Sequence, residues 1–263
     1  MPELPEVETY KRYLDHTSLK QLIKKVVVTD NRILKINQSY LKKSIQGKQF
    51  NKSIRHGKYL LVFINPRYLV MHFGMTGDLA YYGKTSEPPK YSKVIFQFDN
   101  GNNLAYISTR MFGKLDIVDS VEEFIKTKKL GLDAFKMSLE EFKEAVQRRT
   151  AIIKNAFMNQ SFIAGIGNIY SDEILFRSKI HPKTKLNSLN ESKIEELFTN
   201  IKEVLKVGIE KQGVLSTYPK NFLIPHRKLQ EQCPTCNSEL IRFEISGRHS
   251  FFCPECQTEE NLL

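Results

Sequence analysis

The chain has 263 residues, and its 40 Lys or Arg residues against 29 Asp or Glu residues give a formal net charge of +11. No uninterrupted apolar run approaches the ~20 residues that span a bilayer, and the acidic N-terminus lacks the apolar core of a secretory signal. We therefore expect a soluble, cytoplasmic protein without a membrane partner. The positive excess suits a polyanion such as nucleic acid because phosphate contacts release counterions; the alternative is a basic surface that only confers solubility.

The extreme N-terminus is chemically unusual. Removal of Met1 would leave Pro2 with a secondary amine, and an α-amine titrates near pH ~8, so part of it is unprotonated at neutral pH. Such an amine can add to the C1′ carbon of a deoxyribose and form an iminium, with Glu3 beside it to handle the proton. From these residues alone, a disordered start is the favoured interpretation. A short amphipathic helix is predicted over residues 4–14, with one apolar face made by Val7, Tyr10 and Leu14.

Short runs rich in β-branched and aromatic residues occupy most of the next hundred residues. Such runs predict strands at residues 25–28, 59–64, 69–73, 94–98, 103–107 and 115–118. The sequence Asp99-Asn100-Gly101 between two of them predicts a hairpin turn. This spacing of strands favours a sandwich or a barrel. Lys58 lies at a glycine turn before a strand, where it could hold a phosphate or be an ordinary solvated charge.

The pattern becomes helical near residue 120. Ser138 with Glu141, and Ser192 with Glu195, are capping-box candidates that predict two helix starts. Between them, residues 165–168 (Gly-Ile-Gly-Asn) predict a tight turn that opens a helix, an arrangement that favours an anion, although such turns are more often plain connections. Residues 208–230 combine glycines, prolines and polar residues, which predicts a mobile connection.

All four cysteines lie within the last 31 residues, as two C-x-x-C pairs separated by sixteen residues: Cys233, Cys236, Cys253 and Cys256. This spacing predicts one structural zinc ion per chain, because four thiolates fill a tetrahedral shell and leave no position for water. The alternatives are four unrelated thiols or two disulfides. Arg248 would lie on the loop between the pairs, where fingers often present basic residues to phosphate.

In this order, these pieces resemble the bacterial formamidopyrimidine-DNA glycosylase/endonuclease VIII family, and the formamidopyrimidine branch most closely. The endonuclease VIII branch usually has Gly where this chain has Leu4. The segments that carry the resemblance span nearly the whole chain: residues 1–8, 56–58, 160–173, 247–248 and 253–257.

The resemblance implies a multidomain α+β fold. Its parts would be an N-terminal β-sandwich with a flanking helix (residues 1–120), a helix–two-turn–helix DNA-binding domain with a linker (121–229) and a zinc-ribbon finger (230–263). The implied partner is double-stranded DNA containing damaged bases or abasic sites, bound by a monomer. The implied activity is that of a bifunctional DNA glycosylase/AP lyase of base excision repair, with oxidised or ring-opened purines preferred.

The resemblance also implies roles for individual residues. Pro2 would be the Schiff-base nucleophile and Glu3 its acid/base partner. Lys58 would contact phosphate and assist β-elimination, and Arg248 would support δ-elimination. Two further residues would bind the DNA backbone, Lys154 and Asn168, and three would fill the gap left by the extruded nucleotide, Met75, Arg110 and Phe112. Without the resemblance, core packing would be the favoured interpretation of Met75 and Phe112.

The chain departs from the family pattern in three places. Residues 108–113 read Ser-Thr-Arg-Met-Phe-Gly where the family usually has Asp-Pro-Arg-Arg-Phe-Gly, and residues 90–93 lack a usual histidine. Residues 208–232 lack the double-glycine lesion-capping loop and the Tyr-Gly-Arg before the finger. The alternatives are therefore an endonuclease VIII-like glycosylase for oxidised pyrimidines, a non-catalytic lesion-binding protein of the same fold, or a zinc-ribbon factor for RNA or transcription.

Overall fold

The computed structural model describes residues 1–258, so the last five residues of the predicted finger (230–263) lie outside the described part. The chain divides into two compact units, with the boundary between Lys128 and Lys129. Within residues 1–258, no helix is both long enough and apolar enough to cross a membrane.

The N-terminal unit is built on two four-stranded antiparallel sheets, which confirms the predicted β-sandwich. One sheet has the order β1-β6-β7-β5 and the other β2-β3-β4-β8. The strands are β1 (Ile23–Val28), β2 (Lys52–His56), β3 (Tyr59–Phe63), β4 (Tyr68–His72), β5 (Gly77–Tyr82), β6 (Ser92–Phe98), β7 (Asn103–Ser108) and β8 (Lys114–Val118), and the helices are α1 (Leu4–Ser18), α2 (Gln38–Ile45) and α3 (Val121–Thr127). The predicted hairpin at residues 99–101 joins β6 to β7.

The core of this unit follows from the alternation of its strands. Successive side chains point to opposite faces of a sheet, so Leu60 and Val62 on β3 share the inner face with Leu69 and Met71 on β4, all fully buried. Val7 and Leu14 of α1 join the same cluster. Each such side chain contributes about 1.5–3 kcal/mol relative to exposure. This packing attaches α1, and the residues that precede it, to the sandwich.

The C-terminal unit contains the helical part and the cysteine hairpin. Its helices are α4 (Leu139–Gln147), α5 (Ile153–Met158), α6 (Asn168–Arg177) and α7 (Glu191–Glu210). Two short strands, β9 (Leu132–Asp133) and β10 (Ile163–Ala164), pair in parallel. The hairpin consists of β11 (Ile241–Ile245) and β12 (Arg248–Phe252), joined by Ser246 and Gly247 with φ of +51° and +70°. Positive φ at both positions is the requirement of a two-residue type I′ turn.

The helix starts were predicted with mixed success. Ser138 and Glu141 form the predicted capping box of α4, and the glycine turn of residues 165–168 opens a helix as predicted, with α6 starting at Asn168. The prediction for α7 was wrong by two residues. Asn190 caps that helix, because its side-chain oxygen accepts the backbone N–H of Lys193 at 2.8 Å. Both Asn and Ser favour this position, so sequence alone did not separate them.

The segment predicted as a mobile connection (residues 208–230) is packed over much of its length. Residues 208–210 end α7, and two short 3₁₀ turns follow at Leu215–Thr217 and Ile224–His226. Five of its apolar side chains are buried: Ile209 at the end of α7, then Tyr218, Phe222, Leu223 and Ile224. The Tyr218 hydroxyl lies 2.6 Å from that of Tyr170 on α6. The prediction was therefore wrong for this stretch, because its partners lie in a distant part of the sequence.

Candidate active site and nucleic-acid interface

The chain enters α1 through a rigid turn that holds Glu3. The Glu3 N–H donates to Glu6 Oε2 at 2.7 Å, and the Glu3 side chain accepts the backbone N–H of Glu6, which is a reciprocal capping box. Glu3 is 1% exposed, whereas Pro2 before it is half-buried. The N-terminus is therefore ordered around a buried carboxylate, and the disordered start favoured from these residues alone is not observed.

Lys58 lies in the two-residue turn between β2 and β3. The register pairs His56 with Tyr59, which leaves Gly57 and Lys58 in the turn, with Gly57 at φ +53°. Lys58 is only 7% exposed, so it is not a freely solvated charge.

A buried ion pair ties this turn to α1. Arg55, 2% exposed, donates from Nε to Glu8 Oε2 at 2.9 Å and from Nη1 to the Gly57 carbonyl at 3.2 Å. Charge-assisted bonds of this kind are about twice as strong as neutral ones. Pro2 and Glu3 directly precede α1. They are thus connected through this helix to the turn that carries Lys58.

His72, which sequence reasoning missed, ends β4 directly opposite Tyr59. Burial, together with the charges of Lys58 and Lys128, lowers the pKa of His72 to about 4. The ring is therefore neutral at pH 7, and its Nδ1 accepts the Gly74 N–H at 3.3 Å. That bond leaves the proton on Nε2, which makes His72 a neutral donor close to Lys58. Its only sequence signal was its place at the end of an apolar strand.

The structure brings Met75, Arg110 and Phe112 together on the surface of the N-terminal unit. Met75 is 38% exposed and Phe112 54% exposed, so core packing is excluded for both. The Arg110 guanidinium lies 5.5 Å from the centre of the Phe112 ring, and the Arg110 N–H donates to Thr76 Oγ1 at 3.0 Å. These contacts join two loops that are more than thirty residues apart in the sequence.

Gly74 permits this approach of the two loops. It has a φ of +59°, and a Cβ atom there would lie 2.4 Å from the Phe112 carbonyl carbon. Only glycine combines this conformation with so close a backbone neighbour. The surface formed by Met75, Arg110 and Phe112 therefore depends on glycine at position 74.

In the C-terminal unit, Gln160 binds the glycine turn before α6 through both polar atoms of its side chain. Its Oε1 accepts the Gly165 N–H at 2.9 Å, and its Nε2 donates to the Ile166 carbonyl at 2.7 Å. Gly167 is the N-cap residue and supplies no side-chain cap to α6. A helix start of this kind suits an anion, because the first N–H groups and the helix dipole both favour negative charge.

Asn168, the first residue of α6, contacts the cysteine hairpin. Its Nδ2 donates to the His249 carbonyl at 2.7 Å, and its Oδ1 accepts from Ser250 Oγ at 3.2 Å. Arg248, the first residue of β12, is exposed beside these contacts. The structure thus places Arg248 close to the start of α6.

Lys154, which the resemblance placed at the DNA backbone, lies inside the C-terminal unit. Its side chain is fully buried, and its Nζ donates to the Asn168 carbonyl at 2.9 Å and to Ser171 Oγ at 2.7 Å. The same ammonium forms an ion pair with Asp172. With these three partners inside the protein, Lys154 supports the start of α6 and does not present its charge at the surface.

The four cysteine sulfurs form one compact cluster, all within 4.8 Å of one another. Cys233 Sγ lies 3.8 Å from Cys256 Sγ, and Cys236 Sγ lies 3.4 Å from Cys253 Sγ. Four thiolates at about 2.3 Å from a tetrahedral zinc ion would be separated by roughly 3.8 Å, so the arrangement fits the predicted metal. The backbone N–H groups of Thr235 and Cys256 point at the sulfurs of Cys233 and Cys253, both at 3.4 Å.

Comparisons with known proteins identify one family over nearly the whole chain. Residues 1–115 match the family model of the formamidopyrimidine-DNA glycosylase N-terminal domain, and residues 130–219 match that of its H2TH domain. The formamidopyrimidine-DNA glycosylase of Mycoplasma mobile is 32% identical over 272 residues, which cover 98% of this chain and 99% of that protein.

Solved structures give the same result. The Lactococcus lactis Fpg protein in complex with DNA containing FAPY-dG superposes with a TM-score of 0.89 at 31% identity, covering 98% of this chain and all of the other. A complex of the Lactococcus lactis Fpg protein with DNA containing an abasic site gives a TM-score of 0.87 at 31% identity and the same coverage.

Proposed function

Since this chain belongs to the formamidopyrimidine-DNA glycosylase family, we propose that it is a DNA glycosylase of base excision repair, with AP lyase activity, that uses the Pro2 amine as its nucleophile. The choice of Pro2, Glu3 and Lys58 rests on one observation. Glu3 is buried in a capping box directly after Pro2, and α1 is joined through Glu8 and Arg55 to the turn that carries Lys58.

The first step requires that Met1 be removed, because only then is the Pro2 nitrogen an amine. This nitrogen attacks C1′ of the damaged nucleotide, the bond from C1′ to the base breaks, and the base leaves with the electron pair and a proton. Glu3 is placed to manage that proton and to stabilise the cationic sugar. The Pro2 nitrogen then expels O4′: the C1′–O4′ bond breaks, O4′ takes up a proton that Glu3 is placed to deliver, and the product is an iminium between Pro2 and the opened sugar.

Strand cleavage follows from the acidity of this iminium. Loss of a proton from C2′ expels the 3′ phosphate in β-elimination, and a second elimination expels the 5′ phosphate. Lys58 is buried beside the neutral donor His72, and together these residues suit a phosphate next to the lesion. Arg248 is proposed for the second elimination.

The remaining contacts position the DNA. The start of α6, with Asn168, would bind backbone phosphate through helix N–H groups. Met75, Arg110 and Phe112 would fill the gap left by the extruded nucleotide, because flipping costs a few kcal/mol of stacking that apolar and aromatic side chains recover. Lys154 is not proposed to contact DNA, since its ammonium is held inside the C-terminal unit.

The four-cysteine cluster would hold one structural zinc ion. The ion would fix the β11–β12 hairpin and thereby Arg248, and with four thiolate ligands it would take no part in the reaction. Oxidised or ring-opened purines are the proposed substrates, as in the relative's FAPY-dG complex. Chromosomal DNA as substrate would place the protein at the nucleoid in the cytoplasm.

Borohydride trapping tests the nucleophile. The processed chain, with Met1 removal verified by intact-mass measurement, is mixed with duplexes containing 8-oxoguanine, an oxidised pyrimidine or an abasic site. We expect a covalent adduct that is absent from a chain whose N-terminus is blocked by an uncleaved extension, because that chain has no free α-amine. Pro5→Ala, in the same turn, is the matched control and should still be trapped.

Two outcomes would overturn the assignment. An adduct in the blocked chain would mean that another amine is the nucleophile. Tight binding of the abasic duplex by the processed chain, without trapping or nicking, would favour the non-catalytic lesion-binding alternative. Faster excision of the oxidised pyrimidine than of 8-oxoguanine would favour the endonuclease VIII-like specificity.

A further inference from the structure

Asp172 on α6 is a fully buried carboxylate whose two oxygens bind three different segments. One oxygen accepts from Lys154 of α5. The other accepts from Arg227 Nε at 2.9 Å, from Arg227 Nη2 at 2.6 Å and from the Phe251 N–H of β12 at 3.2 Å. Buried charges persist only when they are paired and hydrogen-bonded, so this carboxylate holds its partners in fixed positions.

Arg227 comes from the part of the chain that departs most from the family pattern. Besides its two bonds to Asp172, its guanidinium lies 5.4 Å from the centre of the Phe251 ring. It therefore contacts both the carboxylate and the residue of β12 whose N–H that carboxylate accepts. A planar guanidinium can direct two adjacent N–H groups at one carboxylate oxygen, whereas a lysine ammonium offers a compact point charge.

The hairpin that carries Arg248 is held to the helices on both sides of that residue. Before it, Ser246 Oγ donates to Asn155 Oδ1 of α5 at 2.9 Å. After it, Asn168 binds His249 and Ser250, and Asp172 binds Phe251. Lys154 joins these contacts, because its ammonium binds both Asp172 and the Asn168 carbonyl.

We infer that Arg227 is a positioning residue that, through Asp172 and Phe251, sets Arg248 relative to Asn168 at the start of α6. The inference rests on the proposed function for the meaning of Arg248 and Asn168, and the contacts themselves are independent of it. Arg227 is assigned no part in the chemistry itself. Its loss leaves Lys154 as the only charged partner of Asp172 among those described and removes the guanidinium from the Phe251 ring, which weakens the attachment of β12.

The test compares Arg227→Gln and Arg227→Lys with the matched control Lys228→Gln, which removes one exposed positive charge from the adjacent position. Amide hydrogen exchange of residues 246–252 is measured without DNA, with residues 52–63 of the other unit as internal reference. Arg227→Gln should speed exchange in 246–252 by roughly five-fold or more, because two charge-assisted hydrogen bonds to Asp172 are lost. Arg227→Lys should lie in between, and Lys228→Gln should match the unmodified protein.

The second readout is the product distribution on an abasic-site duplex. If Arg248 serves the second elimination, Arg227→Gln should lower the ratio of δ- to β-elimination product several-fold while the first cleavage persists, and Arg227→Lys should restore part of that ratio. A purely structural role would lower both products together. Zinc content is measured for each variant. If Arg227→Gln loses the metal, the product ratio of Arg227→Lys decides whether Arg227 is a positioning residue.

The outcomes separate the two proposals. Unchanged exchange in residues 246–252 together with an unchanged product ratio would overturn the positioning role. An unmodified protein that neither traps nor cleaves DNA would overturn the proposed function, while the exchange measurement would still decide whether Arg227 fixes the hairpin.

Discussion

The two units hold their candidate residues in different ways. In the N-terminal unit, Pro2, Glu3 and Lys58 lie on a helix start and a two-residue turn, whose conformations are set within a few residues of sequence. In the C-terminal unit, Asn168 and Arg248 are placed by a buried network around Asp172 that joins segments up to 79 residues apart.

This difference determines how each unit should respond to change. A local turn tolerates substitutions elsewhere, because its geometry depends on its own backbone. A buried charged network transmits the loss of one partner to the others, because each remaining charge then lacks compensation. Substitutions far from the reacting atoms should therefore affect function mainly in the C-terminal unit.

Removal of the metal should give the largest effect, confined to one unit. Structural zinc contributes about 10–16 kcal/mol to the folding of small zinc fingers. Chelation, or Cys253→Ser, should raise hydrogen exchange throughout residues 233–256 and abolish DNA binding. The β2–β3 hairpin should keep its protection, and loss of protection there would contradict an effect confined to the C-terminal unit.

Asp172→Asn should have the next largest effect. The variant keeps the shape of the side chain but leaves the buried Lys154 without its counter-charge, which typically costs about 3–5 kcal/mol. Urea unfolding of the C-terminal unit would measure this loss. The control is Glu144→Gln, which breaks the exposed pair with Arg148 and should cost no more than about 0.5 kcal/mol.

Gly74→Ala should have an intermediate effect, located in the N-terminal unit. The added Cβ meets the Phe112 backbone at 2.4 Å and the residue must keep φ at +59°, so we expect a loss of about 2–3 kcal/mol. Gly47→Ala is the matched control, since Gly47 has φ +78° but nothing within 4 Å of the added atom, and it should cost about 1 kcal/mol. Thermal unfolding gives both values, and equal losses would show that close approach to Phe112 is unimportant.

Per pH unit, the smallest expected effect is an opposite response of the two units to pH. Burial lowers the pKa of His72 to about 4, so the folded N-terminal unit binds fewer protons than the unfolded chain between pH 4 and 6.5. The contribution of His72 to the free energy of unfolding is therefore complete above pH 6.5 and is lost as the pH falls through 4. Burial raises the pKa of Glu173 to about 8, so the folded C-terminal unit binds more protons than the unfolded chain between pH 4.5 and 8. The contribution of Glu173 to the free energy of unfolding is therefore lost as the pH rises from 4.5 to 8.

Each of these contributions changes by about 1 kcal/mol per pH unit inside its window. Hydrogen exchange followed from pH 5.5 to 8, corrected for the intrinsic rate, should show the N-terminal unit gaining protection up to pH 6.5 and the C-terminal unit losing protection across the whole range. His72→Gln and Glu173→Gln should each remove the response of their own unit only. A common pH dependence of both units would contradict this assignment.

The sequence predicted what depends on local patterns. Six of the eight sandwich strands, the hairpin at Asp99–Gly101, the capping box of α4 and the two cysteine pairs follow from residue types within a few positions and are confirmed, whereas β2 and β5 were not predicted. Lys154 was misread because its burial depends on Asp172, eighteen residues away, and the packing of residues 217–227 depends on Tyr170, Asp172 and Glu173. No local pattern distinguishes a lysine that binds phosphate from one that binds a buried carboxylate.

The anchored segment between α7 and the cysteine hairpin has a consequence for protein engineering. Its exposed tip, residues 212–217, lies between buried Ile209 and buried Tyr218. Because both ends are fixed, each doubling of the length between them should cost only about 0.6 kcal/mol in closure entropy. The tip is therefore a suitable place to graft recognition loops of different length, or a fluorescent reporter, onto an otherwise unchanged repair scaffold.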